Sequence, residues 1–110
     1  MGHIKQQLFE LKSRFVNRTA QLQRITYTDG NLAVKVVAPI FGKIKQSELI
    51  AIISVNHENS CNLPDNQFYA KNYSENEGML DCIEEAGLIK RISNGVQLGF
   101  VHLPIYELVK

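Results

Sequence analysis

The chain has 110 residues, 45% of them hydrophobic, and a net charge of +1. That is one domain with a single modest core, and it leaves no apolar run near the ~20 residues of a membrane span. Two cysteines, Cys61 and Cys82, stand twenty-one residues apart without a CxxC, which argues against a disulfide scaffold or a zinc ribbon.

Met1-Gly2-His3-Ile4-Lys5 runs straight into an amphipathic segment with no signal-peptide pattern, so the expected location is cytoplasmic. Over residues 3–15, Ile4, Leu8, Leu11 and Phe15 recur at helical spacing, which predicts an N-terminal helix broken by Asn17-Arg18-Thr19. From Leu22 the period becomes two. Runs at 22–28 and 31–38 flank Thr28-Asp29-Gly30-Asn31, a strong hairpin signal. Pro39 ends the second run, and Phe41-Gly42 makes a turn. Residues 48–56, with Leu49-Ile50-Ala51-Ile52-Ile53, read as a central strand. A polar loop from His57 follows, then a short strand at 67–71.

The stretch Ser74–Gly87 predicts a second helix, at about 75–87. Ser74-x-x-Glu77 fits a capping box and Gly87 a stop. At 100° per residue, Met79, Cys82, Ile83 and Ala86 share one side, with Leu80 on its flank. Glu77, Asp81, Glu84 and Glu85 lie opposite, and Gly78 is a mild conflict inside the helix. Beyond Gly87, 88–92 extends, Ser93-Asn94-Gly95 predicts a hairpin turn, 96–103 returns, and Pro104 stops it. The expected fold is therefore α+β: a mainly antiparallel twisted sheet of about five or six strands with two helices. The free edges of such a sheet and the apolar tail from Leu103 could support a homodimer.

Nothing in the chain declares a catalytic chemistry. His57 and Cys61 are the only local Cys–His pair, and they sit in a polar loop with no third group to orient them. Phosphate-binding glycine loops are absent, and Asp81 with Glu85 lacks the further ligands of a cation site. The expectation is no enzyme, no metal and no cofactor.

Charge is uneven. Residues 1–45 carry eight Lys/Arg against two acids, and residues 46–110 four against nine. Most such charge runs are plain solvated faces, and two rival binding readings stand beside that one. One is the acidic helix face of Glu77, Asp81, Glu84 and Glu85, facing a basic protein partner. The other is a basic patch within residues 14–45, including Arg24, Lys43 and Lys45, facing nucleic acid.

The run Asn62-Leu63-Pro64-Asp65-Asn66-Gln67-Phe68-Tyr69-Ala70-Lys71-Asn72-Tyr73-Ser74-Glu75-Asn76-Glu77-Gly78-Met79-Leu80 is the most distinctive part of the chain. With Ile53-Ser54-Val55-Asn56 before it and Glu85-Ala86-Gly87-Leu88-Ile89 after it, it resembles a family of small uncharacterised proteins of phages, plasmids and conjugative elements. The match spans roughly residues 22–92, and Tyr73–Gly78 is its most specific part. The resemblance implies a mobile-element origin and carries no catalytic residue. Proteins of that habitat often block a host defence complex, as anti-CRISPR or anti-restriction proteins do. By analogy, the acidic face is expected to occupy the nucleic-acid groove of such a complex.

Overall fold

The computed structural model describes residues 8–13, 16–38, 48–73 and 76–109. Among the described residues, eight strands form two four-stranded antiparallel sheets. The first runs in the order β1 (Leu8–Lys12), β2 (Asn17–Thr26), β3 (Leu32–Ala38), β4 (Glu48–Ile52). In the second, β5 (Ser54–Val55) pairs with β6 (Gln67–Ala70), β6 with β8 (Val101–Leu108), and β8 with β7 (Ile89–Leu98). One α-helix, α1 (Met79–Glu85), lies among the described residues. The architecture is thus mainly β. This corrects the expectation of two helices on a single sheet of five or six strands.

Strand β1 replaces part of the expected N-terminal helix. Leu8 to Lys12 alternates exposed and buried, with Phe9 and Leu11 inward. Five residues fit a period of two as well as one of 3.6, so spacing alone cannot choose. Pairing decides: Leu11 lies opposite Arg18 and Lys12 opposite Asn17. The supposed break at Asn17-Arg18-Thr19 is therefore the start of β2. The Ser13 N–H donates to the Val16 carbonyl at 2.8 Å across the connection. Residues 3–7, 14 and 15 of that expected helix fall outside the described residues.

The β2–β3 hairpin agrees with its turn chemistry. Thr26 faces Leu32, the Tyr27 N–H donates to the Asn31 carbonyl, and Gly30 has φ 90°. The expected strand over 48–56 is divided between the two sheets at Ile53. Its N–H donates to Val34 at 3.0 Å, and its carbonyl accepts from Lys71 at 2.8 Å. One wholly buried residue therefore ties β3 to the end of β6 and bends the sheets round a common interior.

Ser54, directly after it, is a buried polar residue with full employment. Its hydroxyl accepts from the Val34 N–H at 3.0 Å and pairs with the Tyr27 hydroxyl at 2.9 Å. Ser54→Ala leaves that backbone donor buried and unpaired, which costs about 1–3 kcal/mol. A urea midpoint unchanged from wild type would refute this account.

The core joins both sheets to α1. Leu11, Leu22, Val34, Val36, Phe68, Tyr106 and Leu108 meet Met79, Leu80 and Ile83 of the helix. Phe68 and Tyr106 stack with ring centroids 6.4 Å apart, and burial pushes the Tyr106 phenol up from its ordinary value. Tyr106 and Leu108 belong to this cluster, and Leu103 is buried as well. The apolar tail from Leu103 is strand β8 as far as Leu108.

The final hairpin also differs from its sequence reading. Ser93-Asn94-Gly95 is not its turn. The chain continues to Leu98, reverses at Gly99-Phe100, and pairs Leu98 with Val101. Between the pairs Ser93–Ile105 and Val96–Leu103, two residues of β7 face only Pro104. This is a β-bulge, and it explains why Pro104 does not end β8. A proline lacks the N–H a regular ladder needs, so a bulge is where a strand tolerates it.

Candidate protein-binding site

Helix α1 is shorter than its sequence implies, because its start is made by Gly78 at φ 85° with no side-chain cap. Glu77 precedes that cap and so cannot fill the third helical position of a capping box. Ser74 lies outside the described residues. Gly78 therefore ends its conflict with the helix by standing outside it, in a left-handed conformation suited to glycine. Asn76 anchors the entry instead. It is completely buried, and its Nδ2 donates to the Ile52 carbonyl at 2.9 Å and the Lys71 carbonyl at 3.3 Å. Nothing in the run Glu75-Asn76-Glu77 announces a buried amide.

At the other end, Gly87 behaves as expected. It has φ 80°, and its N–H donates to Glu84 while the Leu88 N–H reaches Ile83. These bonds satisfy carbonyls that the helix end leaves free.

Helix α1 spans the gap between the outer strands β1 and β7. The Cys82 thiol accepts from the Lys12 N–H at 3.4 Å and donates to the Glu10 carbonyl at 3.2 Å. Two residues on, the Glu84 carboxylate accepts from the Arg91 N–H at 3.2 Å. One turn of helix thus covers backbone groups of two sheet edges, which would otherwise be templates for unwanted pairing.

That geometry sorts the four acids of the expected face. Glu77, Asp81 and Glu85 are exposed. Glu84 is half-buried and turned onto β7, so it belongs to the fold more than to a free surface. The buried stripe differs in one respect: Leu80, placed on the flank, is fully enclosed, whereas Cys82 and Ala86 are only partly covered. Beside Asp81 and Glu85 runs an open groove of about 460 Å³ between α1 and β1. Its walls include Phe9, Glu10, Cys82 and Ala86. Sequence reasoning missed Phe9 and Glu10, because it treated their segment as helix.

The basic patch is brought together only in part. The Arg24 guanidinium donates to Asn66 Oδ1 at 2.9 Å and to the Asp65 carbonyl at 3.0 Å, so it clamps β2 to the turn before β6. Lys43 and Lys45 lie outside the described residues. His57 holds its own loop: its Nδ1 accepts from the Asn59 N–H at 3.0 Å, and its ring lies 5.0 Å from that of Tyr69. Cys61 is exposed nearby. At the β2–β3 turn, a hydrogen bond from Asn56, then one from the Asn31 backbone, holds the Asp29 carboxyl below its ordinary range. Among the described residues, no three His, Cys, Asp or Glu side chains converge to ligate a metal, and no helix is long and apolar enough to cross a membrane.

The tip of the β7–β8 hairpin is a second feature the sequence concealed. Phe100 is fully exposed there, with Leu98 half exposed beside it. An alternating strand hides its turn when the turn residues, Gly99-Phe100, resemble one more step of the alternation.

No family model, no curated protein and no solved structure matches this chain.

Proposed function

We propose that this chain is a non-enzymatic protein-binding module of a mobile genetic element, which docks a basic partner on the acidic face of α1. The partner class is a host nucleic-acid-binding complex, such as a defence nuclease, whose groove the acidic face occupies. The observation that carries the reading is the setting of Asp81 and Glu85. Both are exposed and free of ion pairs among the described residues, on a helix tied by Cys82 to one sheet edge and by Glu84 to another. A surface held in place before binding loses less entropy when a partner arrives. Glu77 extends the same charge toward the start of the helix. The rival basic patch has weaker support, since Arg24 already spends its guanidinium on Asn66 and Asp65.

The test is a tagged pulldown from the bacterial host, with and without nuclease. Wild-type protein retains a protein partner after nuclease treatment. The double variant Asp81→Lys/Glu85→Lys loses it by about tenfold or more, because opposed like charges are costly across an interface. Its unfolding free energy stays within about 0.5 kcal/mol of wild type, as expected for exposed positions. Recovery of nucleic acid alone, or undiminished capture by the double variant, overturns the proposal.

A further inference from the structure

Of the chain's asparagines, only Asn94 is followed by glycine. Asn94 and Gly95 are both exposed, and both fall in the bulge of β7, where neither has a cross-strand partner in the register with β8. Their polar groups are engaged locally. The Arg91 guanidinium donates to Asn94 Oδ1 at 3.0 Å, and the Gly95 N–H donates to Ser93 Oγ at 3.3 Å. A glycine at this position carries no side chain to shield its backbone nitrogen from the preceding amide, and its conformational freedom lets the main chain turn toward that amide.

We infer that Asn94-Gly95 is a self-modification site, at which the chain converts its own asparagine to aspartate and isoaspartate. The Gly95 nitrogen attacks Asn94 Cγ and closes a cyclic imide. The bond from Cγ to Nδ2 breaks, and Nδ2 leaves as ammonia, taking up the proton that the Gly95 nitrogen gives up. Water then opens the ring. Addition at Cγ yields aspartate, and addition at the main-chain carbonyl carbon yields isoaspartate, with the backbone rerouted through Cβ and Cγ. Nothing is oxidised or reduced, and water is the sole co-reactant. The Arg91 contact falls on the oxygen that gains negative charge as the nitrogen attacks, so it favours the step. The Ser93 hydroxyl stands where the departing proton is first received.

Asp29-Gly30 has the same spacing but is protected. Asp29 Oδ2 accepts from Asn56 Nδ2 at 2.9 Å and Oδ1 from the Asn31 N–H at 3.1 Å, and these contacts keep the carboxylate ionised and a poor electrophile. The Gly30 N–H is committed to the Tyr27 carbonyl at 2.9 Å. At position 94 the outcome is structural as well as chemical. Each product sets a carboxylate beside Arg91. Isoaspartate also adds a methylene to the main chain next to Gly95, where even a Cβ would overlap the Leu103 carbonyl oxygen. The bulge that admits Pro104 loses its fit, and the β7–β8 hairpin loosens as the protein ages.

The experiment incubates the full chain in mildly alkaline buffer, folded and, in parallel, unfolded in urea. Peptide mapping by mass spectrometry, with fragmentation that separates aspartate from isoaspartate, follows positions 29 and 94. Asn94 converts in both samples, whereas Asp29 stays unchanged in the folded chain. Arg91→Gln slows the folded reaction by about threefold, the scale of one exposed charged contact, and leaves the unfolded reaction as it was. Converted folded chain exchanges its amides over 96–103 faster than unconverted chain. Persistence of Asn94 in the folded chain while the unfolded chain converts overturns the inference, because the fold then locks the amide. An unchanged folded rate in Arg91→Gln overturns it too, as does isoaspartate at Asp29 forming as fast as at Asn94.

Discussion

Gly95→Ala is expected to destabilise the protein by about 3 kcal/mol, roughly twofold the effect of the same change at Gly99. Both glycines have left-handed φ, 66° and 59°, so both substitutions incur the strain of an L-residue there, about 1–2 kcal/mol. They differ in what surrounds them. A Cβ on Gly99 meets nothing within 4 Å. A Cβ on Gly95 would overlap the Leu103 carbonyl oxygen and stand 3.0 Å from Pro104 Cα. Backbone cannot rotate aside as a flexible side chain can. The alanine therefore forces β7 and β8 apart at the bulge. Leu103 and Pro104 are both buried, so separation there also exposes apolar surface. Urea unfolding of the two variants checks the ratio, and amide exchange over 96–103 locates the damage. Equal costs at Gly95 and Gly99 would show that the close approach at the bulge is not restrictive.

Ile83→Ala is the second large effect. Ile83 is wholly buried in the cluster that joins the helix to both sheets. Removing its outer carbons costs about 2–5 kcal/mol, from lost transfer energy and the cavity left behind. That is a sizeable share of the ~5–15 kcal/mol that holds a domain folded. Its position gives the variant a particular signature. Cys82 and Glu84, on either side of it, hold the backbone of Lys12 and Arg91. Loosening α1 therefore speeds hydrogen exchange at those two amides together, though they lie on opposite outer strands. Glu85→Ala, on the exposed side, moves stability by no more than about 0.5 kcal/mol. If exchange at Lys12 and Arg91 remains slow in Ile83→Ala, the helix is not what secures the edges.

The two variants also separate the parts of the molecule that bear on function. Ile83→Ala loosens the helix that presents Asp81 and Glu85, and should impair partner capture along with stability. Gly95→Ala acts on the β7–β8 hairpin, away from that face. A loss of capture in Gly95→Ala protein that still holds α1 would point instead to the exposed Phe100 at the hairpin tip.

What the sequence determined by itself was local. Asp29-Gly30-Asn31 makes its hairpin because glycine and a short polar side chain suit that turn wherever it occurs. The stop at Gly87 is local for the same reason. The buried stripe and acidic face of α1 follow from spacing within a single segment, and Glu77, Asp81 and Glu85 are exposed as their positions implied. Only the tertiary structure decided the rest. Leu8–Lys12 satisfies two periods at once, and pairing with Asn17–Gln21 chose the strand. Ser93-Asn94-Gly95 has the chemistry of a turn, but Pro104 across the ladder made it a bulge. Asn76 and Ser54 look like loop residues until the carbonyls and N–H groups they bind arrive from elsewhere in the chain. Glu84 left the free acidic face for the same reason, when β7 brought it a donor. The groove beside Asp81 exists only because β1 and α1, some seventy residues apart in sequence, meet at Cys82. Turn and helix signals act between neighbours along the chain. Strand pairing, bulges and grooves depend on partners that a local pattern cannot specify.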